Sequence, residues 1–140
     1  MSFASITTGC VVKYPYLWAR EHQNKQTEGA KFRPVAVGVR IPAKNPGTGD
    51  RVLLFPITSL PPPADRLNLE IPVVEKRRAG LDDDKRLWIV LDEYNLDVIG
   101  QSYDLPPTGP IGMFSKGFFE TVLVLVLADL ATAIAVNRRA

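Results

Sequence analysis

Apolar residues in this chain come mostly in short β-branched runs separated by proline- and glycine-rich punctuation, with one longer run near the C-terminal end. Gly9-Cys10-Val11-Val12-Lys13-Tyr14 reads as a first strand, and Pro15 before Tyr16-Leu17-Trp18 bends it into a loop. Residues 19–31 are polar and charged without an apolar period, which predicts a surface loop. Then Gly29-Ala30-Lys31-Phe32-Arg33-Pro34-Val35-Ala36-Val37-Gly38-Val39 passes from a basic lead-in straight into an apolar run. A second strand is expected over about 33–40, with Pro34 at its beginning, where a missing donor is tolerated. Lys44-Asn45-Pro46-Gly47-Thr48-Gly49-Asp50 is dense in turn residues, and residues 51–58 form the next strand. The two strands around that turn are expected to make an antiparallel hairpin.

Pro61-Pro62-Pro63 stops the third strand, and Leu67, Leu69, Ile71 and Val73 alternate as in a half-buried strand over 67–74. Residues 75–86 are charged around Gly80 and predict a turn or short helix. Leu87-Trp88-Ile89-Val90-Leu91 is a strongly apolar strand ending at Asp92-Glu93-Tyr94-Asn95, after which residues 96–99 have the character to pair with a neighbour. Pro106-Pro107-Thr108-Gly109-Pro110 reads as a loop. From about 116 to 137 the apolar residues Phe119, Leu123, Val126, Leu130 and Ile134 fall at helical spacing. About twenty residues are too many for one strand, so a helix is predicted. Its length approaches that of a bilayer span, but Asp129 lies inside it, and a carboxylate at that depth costs a few kcal/mol. A helix packed on the sheet or in a dimer interface is therefore expected.

Composition narrows this only slightly. At 140 residues, 46% hydrophobic and 23% charged, the chain is long enough to bury a core without disulfides or metals. Its twelve prolines favour short strands over a helical bundle. A net charge of +2 permits a polyanionic partner without arguing for one. The single Cys10 precludes an internal disulfide and fits a reducing compartment, and Met1 to Ser5 lack the pattern of a secretory signal. A cytoplasmic location, with no membrane association, is expected.

The polar candidates for chemistry sit at strand ends: Arg33 opens one strand, Thr58-Ser59 closes the next, and Asp92-Glu93 closes a third. In a curled sheet such ends converge, and a guanidinium, hydroxyls and carboxylates gathered there suit a phosphodiester. Cleaving RNA without a metal needs a base for the 2′-hydroxyl, a cation for the crowded phosphate and a donor for the leaving oxygen. The planar fork of Arg33 matches phosphate oxygens. Each candidate has a plainer reading as well: an ion-paired arginine, a strand-to-loop turn, a carboxylate accepting backbone hydrogen bonds. The lone His22, near Glu21, reads as solvated, although its pKa would suit acid-base work. Lys76-Arg77-Arg78 reads as a solvated face that also suits RNA backbone. Asp82-Asp83-Asp84 reads as a charged turn, since three consecutive side chains are not expected to converge on a cation. Tyr14, Tyr16 and Trp18 suit either the core or a platform for unstacked bases. No P-loop, dinucleotide fingerprint or zinc spacing is present, and no cofactor is expected.

The order Gly9-Cys10-Val11-Val12, Lys31-Phe32-Arg33-Pro34-Val35-Ala36-Val37 and Phe55-Pro56-Ile57-Thr58-Ser59 resembles the PemK/MazF toxins of toxin-antitoxin systems. Leu81-Asp82-Asp83 and Trp88-Ile89-Val90-Leu91-Asp92-Glu93-Tyr94-Asn95 are similar to the longer, PemK-like branch of plasmid-maintenance growth inhibitors. The resemblance covers about 9–135 and implies an α+β, mainly β fold: a small SH3-like curled barrel of five to seven antiparallel strands with a C-terminal helix. It further implies a homodimeric, metal-independent, sequence-selective endoribonuclease (mRNA interferase) acting on single-stranded RNA and neutralised by a cognate antitoxin. Arg33 matches the family's catalytic arginine, Thr58 its catalytic threonine and Asp92 the aspartate of the later strand. Ser59, Lys31 and Glu93 are expected to contact RNA. Two positions depart from the pattern: Val90 stands where some members place an arginine two residues before the aspartate, and Glu93 stands where a glutamine is usual. A barrel that binds RNA or a protein without cleaving is the alternative, and a membrane-tethered adaptor a weaker one.

Overall fold

The computed structural model describes residues 3–25, 31–45, 47–102, 104–105 and 109–138. The fold is mainly antiparallel β, a strongly curled half-barrel sheet with a helix near the C-terminus. In chain order the elements are β1 (Cys10–Tyr14), α1 (Ala19–Gln23), β2 (Arg33–Ile41), β3 (Arg51–Thr58), β4 (Asn68–Glu70) and α2 (Val73–Arg78). They are followed by β5 (Trp88–Val90), β6 (Glu93–Val98), β7 (Gly112–Met113), α3 (Lys116–Asp129) and β8 (Ile134–Asn137).

β3 is the hub. One of its edges pairs antiparallel with β2, which passes the sheet on to β1 and β7. Its other edge is shared: Arg51 to Leu54 pair with β6, and Ile57 and Thr58 pair with β5, which carries β4. Pro56 lies in the gap between those two pairings, where a residue without an N–H removes no ladder bond. The expected β2–β3 hairpin is present, with a bulge between Val37 and Val39. A Cβ at Gly38 would overlap the ring of the buried Phe55, so the bulge needs glycine for close approach.

Both faces of this sheet are covered, which explains why β1, β2 and β3 read as nearly unbroken apolar runs. Val11, Ala36, Leu53, Phe55 and Ile57 face α3, which presents Phe119, Val122 and Val126 at helical spacing. Val12, Tyr14, Val35, Val37, Val52 and Leu54 form a second core on the opposite face with Cys10, Tyr16 and Trp18. Each buried Val, Leu or Phe contributes about 1.5–3 kcal/mol. Ser115 caps α3, accepting from the Phe118 N–H at 3.3 Å, while its own N–H and hydroxyl donate to the buried Glu75 of α2 at 2.8 and 2.7 Å.

Four expectations need correction. Residues 19–23 form the helix α1 rather than loop; the rest of that stretch, 26–30 with Glu28 and the Gly29-Ala30 lead-in, lies outside the described residues, as do 106–108 of the proline loop. The alternation over 67–74 is strand only at 68–70, because β4 is short and Pro72 then starts α2. Asp92 to Asn95 do not end a strand: after two residues, Leu91 and Asp92, the chain re-enters the sheet as β6, so Glu93 and Asn95 belong to a ladder. The C-terminal helix stops at Asp129, whose carbonyl accepts from the Thr132 hydroxyl at 3.0 Å and the Ala133 N–H at 3.0 Å. Ile134 to Asn137 then pair parallel with β6 as β8, so among the described residues the sheet has eight strands where about five to seven were expected. Among the described residues no helix is long and apolar enough to cross a membrane.

Candidate functional site

The β2–β3 register fixes the centre of the site. Val35 pairs with Pro56 at the end of that ladder, so Arg33 at the start of β2 and Thr58 at the end of β3 come to the same end of the sheet. Both line a cleft of about 250 Å³ with Trp18, Arg20, Arg66 and the Leu60 to Pro63 wall. The Arg33 guanidinium lies over the Trp18 ring at 5.3 Å, and Arg20 covers the same ring at 4.8 Å. Arg33 Nε is buried and has no hydrogen-bond partner among the described residues. The Thr58 hydroxyl oxygen accepts from the Leu60 N–H at 3.1 Å, which orients it at the strand end and leaves its own proton to donate.

The platform is rigid because β6 holds it. Glu93, Asn95 and Asp97 alternate along that strand, and all three point inward. Asn95 accepts from the Leu17 N–H at 2.9 Å and donates to the Leu17 carbonyl at 2.7 Å. Glu93 accepts from the Tyr16 hydroxyl and the Ala19 N–H, both at 2.9 Å. Asp97 accepts from the Tyr14 hydroxyl at 2.5 Å and the Ser102 hydroxyl at 2.8 Å. Burial, reinforced by the Glu93 charge and hydrogen bond, pushes the Tyr16 phenol well above its ordinary range; burial and then Asp97 do the same to Tyr14. Tyr16 in turn meets Trp18 edge-on at 5.2 Å.

Arg66 reaches the cleft from the residues before β4. The β4–β5 register sets Asn68 opposite Val90, which brings Arg66 opposite Asp92. Its Nε donates to Asp92 Oδ2 at 2.8 Å, and its Nη2 donates to Asp92 Oδ1 at 2.7 Å and to Glu93 Oε1 at 2.9 Å. The Leu67 N–H also donates to Asp92, at 3.2 Å. Hydrogen bonding to Asp92 raises the Arg66 pKa, so this guanidinium stays charged at any accessible pH.

The structure brings Arg33 and Thr58 together, and it places Lys31 and Ser59 with Arg33 in a second cleft on its other side. Asp92 and Glu93 line neither cleft. They stand behind Arg66, and Glu93 is 3% exposed, out of reach of a polymer. His22 is exposed on α1 and lines neither cleft. Arg20 and Arg66 escaped sequence reasoning; the available signal for Arg66 was its place just before the alternating run that pairs with residues 88–90. Against expectation the Asp82, Asp83 and Asp84 carboxylates do converge, with one oxygen of each within 4.8 Å of the others. Asp83 is nevertheless engaged by Arg77 at 2.7 Å, which holds its carboxyl below the ordinary range.

Three guanidiniums and a hydroxyl donor around one cleft suit an anion, with the buried Trp18 ring packed under Arg20 and Arg33 as their support. Comparison with protein-family models, with curated proteins and with solved structures returned no match for this chain.

Proposed function

We propose that this chain is the toxin of a toxin-antitoxin pair, an endoribonuclease that cleaves single-stranded RNA at the phosphate seated on Arg33. The observation that carries the reading is the Arg33 guanidinium, stacked on Trp18 in the cleft it shares with Thr58, with a buried Nε that no described residue satisfies. A buried unsatisfied donor costs about 1–3 kcal/mol, and a phosphate in the cleft would remove that cost once the side chain turns its Nε outward to meet an oxygen. In this reaction the 2′-hydroxyl loses its proton and attacks the adjacent phosphorus. The bond from phosphorus to the 5′-oxygen breaks, that oxygen takes up a proton, and the products are a 2′,3′-cyclic phosphate and a 5′-hydroxyl. Arg33 stabilises the pentacovalent phosphate and Thr58 donates to one of its oxygens. Asp92, with both oxygens on the Arg66 fork, enters by holding that guanidinium at the cleft.

On this reading the partners are RNA, a second copy of the chain and a cognate antitoxin, and the setting is the cytoplasm. Induced expression should arrest growth and leave RNA fragments with 5′-hydroxyl ends. With purified protein Arg33→Ala should lower cleavage at least about a hundredfold, the usual cost of removing one transition-state donor. Arg33→Lys should recover only part, because an ammonium lacks the fork. A second reading, RNA binding without cleavage, is favoured by one feature: neither a carboxylate nor an imidazole lines the cleft among the described residues. Wild-type protein that binds RNA yet leaves it whole would establish that second reading and end the first.

A further inference from the structure

Arg33 stands on a ridge, and the cleft on its far side has a character of its own. About 420 Å³ in volume, it is lined by Lys13, Lys31, Phe32, Ser59 and Lys85 among others. Four cations, counting Arg33, face it against one carboxylate, Asp82. Phe32 is 61% exposed, unusual for a phenylalanine at the mouth of a strand whose other apolar side chains are mostly buried. An aromatic face among lysines, next to a phosphate-sized site, is the arrangement that binds single-stranded nucleic acid: cations follow the backbone and the ring stacks a base.

We propose that this second cleft is a nucleotide subsite for the RNA residue adjoining the phosphate on Arg33, with its base stacked on Phe32 and its own phosphate held by Lys13, Lys31 and Lys85. The inference rests on the proposed function for the identity of the polymer. It adds where the strand goes: across the ridge at Arg33, one nucleotide to each side. Its volume lies within the roughly 300–1,000 Å³ of ordinary ligand sites. The Ser59 hydroxyl, carried by the residue after β3, gives the subsite a hydrogen-bonding group besides its cations. Stacking is tolerant of sequence, so Phe32 contributes affinity for any base.

The test uses two fluorescein-labelled single-stranded octamers, U8 and A8, made with 2′-fluoro sugars so that they cannot be cleaved, with binding followed by anisotropy against the full chain. Phe32→Ala should weaken both at least about fivefold, the low end of what loss of one stacked base costs, while Phe32→Trp binds at least as well as wild type. Replacing Lys13, Lys31 and Lys85 together by Gln should lower the slope of log Kd against log salt by about 0.7, as loss of the one phosphate they hold requires. Phe32 is exposed, so its variants should melt with the wild type. Unchanged affinity for Phe32→Ala, alongside lost binding in Arg33→Ala, overturns the subsite and leaves the phosphate site standing. Should wild type bind neither octamer, the proposed function falls and the subsite with it. A Phe32→Ala protein with unchanged RNA affinity that sediments as a smaller species identifies Phe32 as a protein contact and also overturns the subsite.

Discussion

At the scale of single residues, Arg33 and Arg66 share a cleft but have opposite energetics. Arg66, itself 29% exposed, is surrounded by acceptors: two oxygens of Asp92, which is 21% exposed, and one of Glu93, which is 3% exposed. Removing it leaves two neighbouring carboxylates facing each other, one of them buried, with no cation between. Arg66→Ala should therefore destabilise the protein by about 3 kcal/mol, the lower end of the cost of breaking a buried pair because Arg66 itself is partly solvated. Arg66→Lys should recover less than half, since one ammonium cannot span Asp92 and Glu93 as the fork does. Urea denaturation of the three proteins checks both figures; a loss under about 1 kcal/mol for Arg66→Ala would show that the carboxylates find solvent instead. Arg33 was legible in the chain because it opens an apolar run behind a proline, a local signal. Arg66 was not, because its role depends on a partner 26 residues away that only the β4–β5 register supplies.

At the scale of elements, β6 shows most clearly what local pattern conveys and what it hides. Asp92-Glu93-Tyr94-Asn95 reads as polar after an apolar strand, and polar residues are ordinarily taken to face water. Here the alternation is inverted: Glu93, Asn95 and Asp97 point inward, and Tyr94, Leu96 and Val98 are half-buried. The inversion is stable because each inward polar group finds the backbone or a hydroxyl of residues 14–19, so the strand docks the connection between β1 and α1. The β1, β2 and β3 runs, by contrast, were readable almost to the residue, since two covered faces give a signal that needs no partner. The end of α3 was hidden for a third reason: neither glycine nor proline marks it, and the stop is made by Thr132 bonding back to Asp129. The β6 clamp can be tested at Asn95. Asn95→Ala leaves the buried Leu17 N–H and carbonyl without their partners and should cost about 2–4 kcal/mol for the two groups. It should also loosen Trp18, next to Leu17, so that tryptophan emission shifts to the red and quenching by acrylamide rises. A destabilised protein with unchanged fluorescence would mean that Trp18 is held by its rings alone.

At the scale of the whole molecule, the two faces of the sheet differ in chemistry. The face under α3 is aliphatic and aromatic throughout, whereas the other core holds Cys10, Tyr14 and Tyr16, three buried acids that prefer to stay neutral. Burial raises the Cys10 thiol from 9.0 to about 11, and burial with the Asp97 and Glu93 contacts raises both phenols. The unfolded chain releases the thiol proton near pH 9 while the folded chain retains it to about 11, so over that interval the unfolded state binds fewer protons and stability falls as pH rises. That difference in proton affinity is worth at most about 2–3 kcal/mol from Cys10, with the phenols adding the same sign above about pH 10. Stability measured by urea denaturation should hold steady from about pH 7 to about pH 8.5 and then decline through about pH 11. Between about pH 9 and 10, before the phenols enter, Cys10→Ala should flatten the decline even though its smaller side chain lowers the overall value. An equally steep decline in that variant over the same interval would assign the alkaline loss to groups outside this core. Among the described residues the α3 face carries a half-buried tyrosine, Tyr94, but no fully buried thiol or phenol, so alkali should open the molecule from the β6 side first, and Trp18 emission should change before the far-ultraviolet dichroism of the helices does.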